Sequence, residues 1–168
     1  MTHIMKPQDI VILLKIVCMK NHDWNQQILA SSLYISQSEI SQSLKRSRYA
    51  GLLGPKKDFV LGNSLLEFIE FGLKYVFPQQ PGRVVKGMPT AHSMTPLSEE
   101  ILSNEHYVWP TIQGNVRGHA IQPLYPNVVK AVREDHQLYE LLAMVDAIRV
   151  GRAREREMAI RILKDRIC

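Results

Sequence analysis

Apolar and polar residues recur at helical spacing along the first part of the chain. A first helix is predicted to begin at Pro7 and to end near Lys20. A second follows with Asn25 as its N-cap, and a third with Ser36 as its N-cap. Glu39 lies three residues after Ser36, the spacing of a capping box in which each side chain bonds the other residue's backbone amide. The apolar positions of these helices are Ile10, Leu13, Leu14, Val17, Cys18, Ile28, Leu29, Leu33, Ile40 and Leu44.

The predicted third helix has an apolar face and a polar face. Successive helical residues are rotated by about 100°, which turns hydrogen-bonding side chains away from the buried side at Ile40. This outer face consists of Ser38, Gln42, Lys45 and Tyr49, flanked by Ser41 and Arg46. Because it contains no large aliphatic residue, it is expected to face a polar partner or solvent.

A hairpin and a fourth helix are predicted next. Glycine–proline and glycine–asparagine turns bracket the hairpin, whose tip carries Lys56 and Lys57. The fourth helix is expected to run from Ser64 to Val76. Its inward positions are Leu65, Leu66, Ile69, Leu73 and Val76. Helix, turn, helix and hairpin thus follow in the order of a winged helix-turn-helix.

Glycine and proline punctuate the middle of the chain. Residues 78–125 are predicted to form a loop-rich connection with one or two short strands, around Val84 and at Tyr107–Trp109. Helical spacing returns at Val128.

Two further helices are predicted at the C-terminal end. Asp135 is expected to cap the first of them, and Gly151 to end it. The last helix is predicted from Arg152 to Ile167. Their apolar stripes suit either a core or a dimer seam.

The pattern predicts a mainly α, α+β fold in three segments. Residues 1–77 form the winged helix-turn-helix, residues 78–125 the loop-rich connection, and residues 126–168 a helical pair for packing or dimerisation.

Composition narrows the class of protein. The chain has 168 residues, of which 45% are apolar and 22% charged, as in ordinary soluble proteins. No apolar run reaches the roughly 18 residues of a membrane span, and no secretory signal is recognisable. The two cysteines make no disulfide framework, which favours the cytoplasm. The net charge of +5 favours a polyanionic partner, and residues 36–57 contain five Lys or Arg against one acid.

The outer face of the third helix carries chemistry that can read DNA. Amide side chains bond adenine edges, Arg and Lys bond guanine, and Ser bonds either. The helix supplies such groups at Gln37, Ser38, Ser41, Gln42, Lys45 and Arg46. Gln42 and Lys45 are predicted to contact bases. Phosphate contacts are predicted for Arg46, Lys56 and Lys57. The alternatives are a merely solvated helix face and an ordinary charged turn.

No catalytic, cofactor-binding or metal-binding residue is predicted. His92 and His119 attract notice, but no Cys or His at metal-ligand spacing accompanies either one. Both are expected to bond loop backbone. A small anion pocket formed by these histidines with Thr90, Ser93 and Arg117 is a weaker hypothesis.

Residues 7–76 resemble the winged helix-turn-helix domain of small bacterial regulators of the MarR-like type. The resemblance is carried by SQSEISQSLKRSRYAGLL, which starts at Ser36, and by the hairpin after it. It implies a recognition helix at Gln37–Arg46 and a wing that touches the neighbouring groove or backbone through Lys56–Lys57. The segments YVFPQQPGRVVKGMPTAH and VRGHAIQPLYP are similar to parts of a group of small bacterial winged-helix proteins with no firm activity.

The architecture is also similar to antitoxins of the AbiE type, in which a winged helix is joined to a second domain that restrains a nucleotidyltransferase toxin. This likeness carries no matching residues. The expected function is sequence-preferring binding of double-stranded DNA in transcription control, by a homodimer and without enzymatic activity. The alternative is an antitoxin-like module that restrains a protein partner.

Overall fold

The structure, a computed structural model, describes residues 3–20, 23–55 and 59–168. Within these residues the chain forms eight α-helices and one small sheet, which confirms the predicted α+β class. No helix in this part of the chain is both long and apolar enough to cross a membrane. The elements are α1 (Pro7–Cys18), α2 (Gln26–Leu33), α3 (Gln37–Tyr49), α4 (Gly62–Phe71), α5 (Leu73–Val76), β1 (Val84–Pro89), β2 (Tyr107–Pro110), β3 (Val116–Ala120), α6 (Val128–Ala131), α7 (His136–Val150) and α8 (Ala153–Ile167).

The predicted N-caps are confirmed. Asn25 Oδ1 accepts the Ile28 amide hydrogen at 2.9 Å, and Ser36 Oγ accepts that of Glu39 at 3.2 Å. Asp135 caps α7 in the same way, by accepting the amide hydrogen of Leu138 at 3.0 Å. These bonds satisfy amide groups that the first helical turn leaves without a partner.

Only one of the two hydrogen bonds of the predicted capping box on α3 is present, the one from the Glu39 amide to Ser36. Instead of returning to the Ser36 amide, the Glu39 carboxylate accepts a hydrogen bond from Gln8 Nε2 at 2.8 Å. It also lies 3.7 Å from Lys6 Nζ. A tertiary contact with the start of α1 has therefore replaced the local one.

Among the described residues between α3 and α4, strand pairing is limited to a single β-bridge. Leu53 and Val60 form an isolated antiparallel bridge, and the Gly54 amide donates to the Phe59 carbonyl at 2.8 Å. The predicted tip, with Lys56 and Lys57, lies outside the described residues. The winged helix-turn-helix assignment accordingly stays a prediction.

The predicted fourth helix is interrupted. α4 ends at Phe71 and α5 begins at Leu73, and the residue between them is Gly72, a poor helix former whose φ of −111° is distorted from the helical value. Val76 was expected to point inward, but it is 52% exposed.

Each strand of the small sheet pairs with the other two. β1 is antiparallel to β2, with Met88 opposite Trp109, and antiparallel to β3. β2 and β3 are parallel. The strands at Val84 and at Tyr107–Trp109 were predicted, whereas β3 was not. The strands approach closely at Gly87, where a Cβ atom would lie 2.2 Å from the Trp109 carbonyl oxygen.

One hydrophobic core serves all three predicted segments. It includes Ile12 of α1, Leu65 of α4, Trp109 of β2 and Val145 of α7. Every residue of α7 from Leu141 to Ile148 is buried. The apolar stripe of α7 is thus core within a single chain rather than a seam left open for a second copy.

Candidate nucleic-acid interface

The polar face of α3 is accessible. Gln37, Ser38, Gln42 and Lys45 are exposed, and Ser41 is half-buried. We call these five residues the α3 face. The opposite side of the helix packs Ile40 and Leu44 into the core, so the division into two faces is as predicted.

Arg46 does not belong to this face, and the prediction that it lies outward is wrong. Its side chain is buried and forms a bidentate ion pair with Asp9 of α1. Nε donates to Asp9 Oδ2 at 2.9 Å and Nη2 donates to Oδ1 at 2.7 Å. These hydrogen bonds raise the pKa of Arg46, so its guanidinium stays charged. A side chain held in this way is not available to phosphate.

The two ends of α3 are fixed differently. At its start, Glu39 is held by Lys6 and Gln8, which come directly before and within α1. At its end, the Tyr49 ring is 71% exposed and stacks on the His3 ring with centroids 3.9 Å apart. The start of α1 thus anchors the start of α3, while the end of α3 remains accessible at Tyr49.

The turn between α2 and α3 is supported by the second half of the chain. Tyr34 is left-handed at φ 56°, and its carbonyl accepts hydrogen bonds from Tyr125 Oη at 3.0 Å and Asn127 Nδ2 at 2.9 Å. Lys130 Nζ lies 4.4 Å from the centre of the Tyr34 ring. The turn between α2 and α3 is therefore braced from outside the first 77 residues.

No family model matches this chain. Likewise, no curated protein and no solved structure is significantly similar to it. The resemblance to MarR-like regulators and the roles it implies for Lys56 and Lys57 stay predictions.

Both histidines of the middle segment bond loop backbone, as predicted. His92 Nε2 lies 2.7 Å from the Glu105 carbonyl oxygen, and His119 Nδ1 lies 2.9 Å from that of Gly82. The Tyr107 ring contacts both edge-on, with centroid distances of 4.7 Å to His92 and 6.2 Å to His119.

Thr90 and Ser93, which were predicted to form an anion pocket with these histidines, make hydrogen bonds to other residues of the protein. Thr90 Oγ1 donates to Asp146 at 2.7 Å, and Ser93 Oγ accepts the Tyr107 amide hydrogen at 2.9 Å. The cations that share a cleft with His92 are Arg152 and Arg154 at the start of α8. The sequence does not signal that these arginines lie beside His92, because they are about 60 positions away from it and no motif joins them.

Asp146 is the polar centre of the core. Its carboxylate accepts hydrogen bonds from Thr90 Oγ1 and Trp109 Nε1, both at 2.7 Å, and from Arg149 at 3.0 Å. Burial raises the pKa of Asp146 more than these three partners lower it. The network ties β2 and the residue that follows β1 to α7.

Proposed function

We propose that this protein binds double-stranded DNA through the α3 face and acts in transcription control. The proposal rests on one observation: an exposed helix face that offers amide, hydroxyl and ammonium groups and no large aliphatic. An α-helix fits the major groove, where these groups can distinguish base pairs. The net charge of +5 adds a favourable long-range attraction.

The fixed attachment of α3 to α1 supports the same proposal. The bidentate bond between Arg46 and Asp9 fixes the rotation of α3 about its axis. A helix that is already oriented loses little conformational freedom when it docks. Arg46 therefore contributes as a positioning residue, while Gln42 and Lys45 are proposed to contact bases.

The remaining parts of the proposal concern setting and assembly. We propose a cytoplasmic homodimer, because two recognition helices read two half-sites and because the two cysteines are free. Lys56 and Lys57 are proposed to add phosphate contacts.

The test compares two double variants of matched chemistry. Genomic fragments retained by the protein supply the DNA, and affinity is measured at fixed salt. Gln42→Ala with Lys45→Ala should weaken specific binding by about 30-fold or more, because each good base contact contributes roughly 1–3 kcal/mol and two contacts are lost. The control, Lys86→Ala with Gln113→Ala, removes the same two side-chain types from exposed positions of the second half. Equal affinity of the two double variants would refute the assignment of the α3 face.

A protein-binding role is the second candidate, and one observation favours it. Phe71, Tyr75 and Val76 are 66%, 72% and 52% exposed and lie close in sequence across the α4–α5 break. Grouped exposed apolar side chains mark protein contacts more often than DNA contacts. Retention of a specific protein, without a salt-sensitive DNA complex, would favour this antitoxin-like alternative.

A further inference from the structure

An outward stripe of side chains runs along α4 and α5. Its members recur every three or four residues, which places them on one side of a helix, and they are Glu67, Phe68, Phe71, Lys74 and Tyr75. We call these five residues the α4–α5 stripe. Phe71 and Tyr75 are exposed, whereas Leu65, Ile69 and Leu73 on the opposite side are fully buried. The stripe shares no residue with the α3 face.

The helical direction continues across the break between α4 and α5. The Gly72 amide donates to the Phe68 carbonyl at 2.8 Å, and the Val76 amide donates to the Gly72 carbonyl at 3.0 Å. Both are bonds between residues four apart, as in an α-helix. The two short helices therefore present the stripe as one surface.

An open groove adjoins the first part of the stripe. Its volume is about 330 Å³, and its lining includes Met5, Leu52, Ser64, Glu67 and Phe68. Tyr75 lies eight residues after Glu67, or about 12 Å further along the helix, so its ring does not reach the groove of its own chain. A groove with apolar walls and an exposed aromatic ring thus lie at opposite ends of the same stripe.

The charges of the stripe are ordered in a way that suits an antiparallel copy of it. Glu67 lies four residues before Phe71, and Lys74 lies three residues after it. Neither has an ion pair among the described residues, and Lys74 Nζ lies 4.8 Å from the centre of the Tyr75 ring. A two-fold axis reverses one helix relative to the other, so an acid before the centre meets a base after it. The stripe is therefore complementary in charge to itself.

We propose that a second copy of this chain covers the α4–α5 stripe, with the two helices antiparallel and the two-fold axis beside Phe71. Residues equally far before and after Phe71 then face each other across the axis. Glu67 of each copy pairs with Lys74 of the other. The Tyr75 ring of each copy enters the groove at Phe68 of the other, and the two Phe71 rings meet at the axis. This contact deepens the homodimer of the proposed function and rests on that part of it.

The size of the contact sets its strength. The path from Gly62 to Val76 is about 22 Å long, and only its outward side is available. Weak, reversible complexes bury less than about 1,200 Å² in total, which is the class expected for one pair of short helices. The dimer should accordingly dissociate in the micromolar range. Sedimentation of the full chain without DNA, from roughly 1 to 200 µM, covers that range.

Charge reversal tests the pairing of Glu67 with Lys74. Glu67→Lys alone and Lys74→Glu alone should each weaken the dimer at least about tenfold, because the two-fold axis turns two attractions into two repulsions. Equimolar mixing of these two variants should restore association, since every pair across the contact again joins opposite charges. The matched controls, Glu100→Lys and Lys86→Glu, reverse exposed charges elsewhere and should leave association unchanged, alone or mixed.

A second pair of variants tests the apolar part of the contact. Phe71→Ser with Tyr75→Ser should weaken the dimer about thirtyfold or more, because aromatic side chains at the centre of an interface contribute most to its affinity. The matched control, Leu102→Ser with Ile112→Ser, removes two apolar side chains that are still more exposed and should not change association. All four positions are exposed, so the midpoints of urea unfolding should stay near that of the parent and separate lost association from lost folding.

The outcomes are distinct from one another and from those for DNA binding. A dimeric parent that none of the α4–α5 variants weakens would overturn this contact and leave the homodimer standing. A parent that stays monomeric throughout the concentration range would overturn the contact and the homodimer together, and would leave the stripe to a different protein. The comparison of Gln42→Ala with Lys45→Ala against its control is made on DNA and decides the α3 face separately.

Discussion

The ion pair between Arg46 and Asp9 should be among the most sensitive points of the fold. Asp9 is 0% exposed and accepts three hydrogen bonds, two from Arg46 and one from the Lys6 amide at 2.8 Å. Arg46→Met removes the two from Arg46 and leaves a buried carboxylate with one. Each hydrogen bond to a charged group contributes about 1.5–3 kcal/mol, so the expected loss is about 3–5 kcal/mol.

Urea denaturation measures this loss as a lower midpoint at unchanged slope. Lys45→Met on the exposed side of the same helix is the matched control and should stay within about 0.5 kcal/mol of the parent. Asp9→Leu combined with Arg46→Met should recover at least half of the loss, because no buried charge remains without a partner. A cost below about 1 kcal/mol for Arg46→Met, or simple additivity in the double variant, would contradict this geometry.

The same variant separates a positioning role from a phosphate contact. If Arg46 contacted phosphate, its loss would lower the slope of DNA affinity against salt by about one counterion. We expect an unchanged slope for Arg46→Met wherever the variant is folded. A reduced slope would return Arg46 to the DNA-contacting set.

Two further predictions concern the backbone and the buried acid. Gly51 has φ 77°, and no atom lies within 4 Å of the position that a Cβ would occupy. Gly51→Ala should therefore lower the free energy of unfolding by about 1 kcal/mol from backbone strain alone, and Gly51→Asn should lower it less. Equal unfolding midpoints for the parent and both variants would argue against the strain. For Asp146, burial raises the pKa, so the unfolded chain releases this proton first as pH rises. The free energy of unfolding should therefore fall above the ordinary aspartate range, about pH 4, relative to that of Asp146→Asn. A difference between the two proteins that does not vary with pH would contradict this.

The sequence predicted best what neighbouring residues decide. The caps at Asn25, Ser36 and Asp135 are bonds to amides three residues away, so their chemistry is visible locally. The buried face of α3 followed from its periodicity in the same way.

Features set by distant partners were not predictable. Helical rotation places Arg46 at the edge of the polar face, and only its meeting with Asp9, 37 residues earlier, turns it inward. Glu39 bonds Gln8 instead of the local capping amide for a similar reason. β3 was not predicted because Gly118 and Arg117 weaken its pattern, and its pairing with β1 supplies what its sequence lacks.

The cleft at His92 shows the same limit. No motif joins the histidine to the arginines of α8, and their proximity depends on the packing of α8 against the middle segment. What the sequence offered was the unusual segment GMPTAHS, which proved to contain the left-handed Ala91.

The burial of α7 has a consequence for synthesis of the protein. The helices that α7 covers, α1 among them, leave the ribosome on the order of 100 residues earlier, which is roughly 5–20 s at ordinary translation rates. During that time the apolar side of α1, including Ile12 and Leu13, lacks the partner that finally buries it. The nascent chain is therefore expected to depend on chaperones until Ile148 has emerged, and to become resistant to proteolysis in one late step.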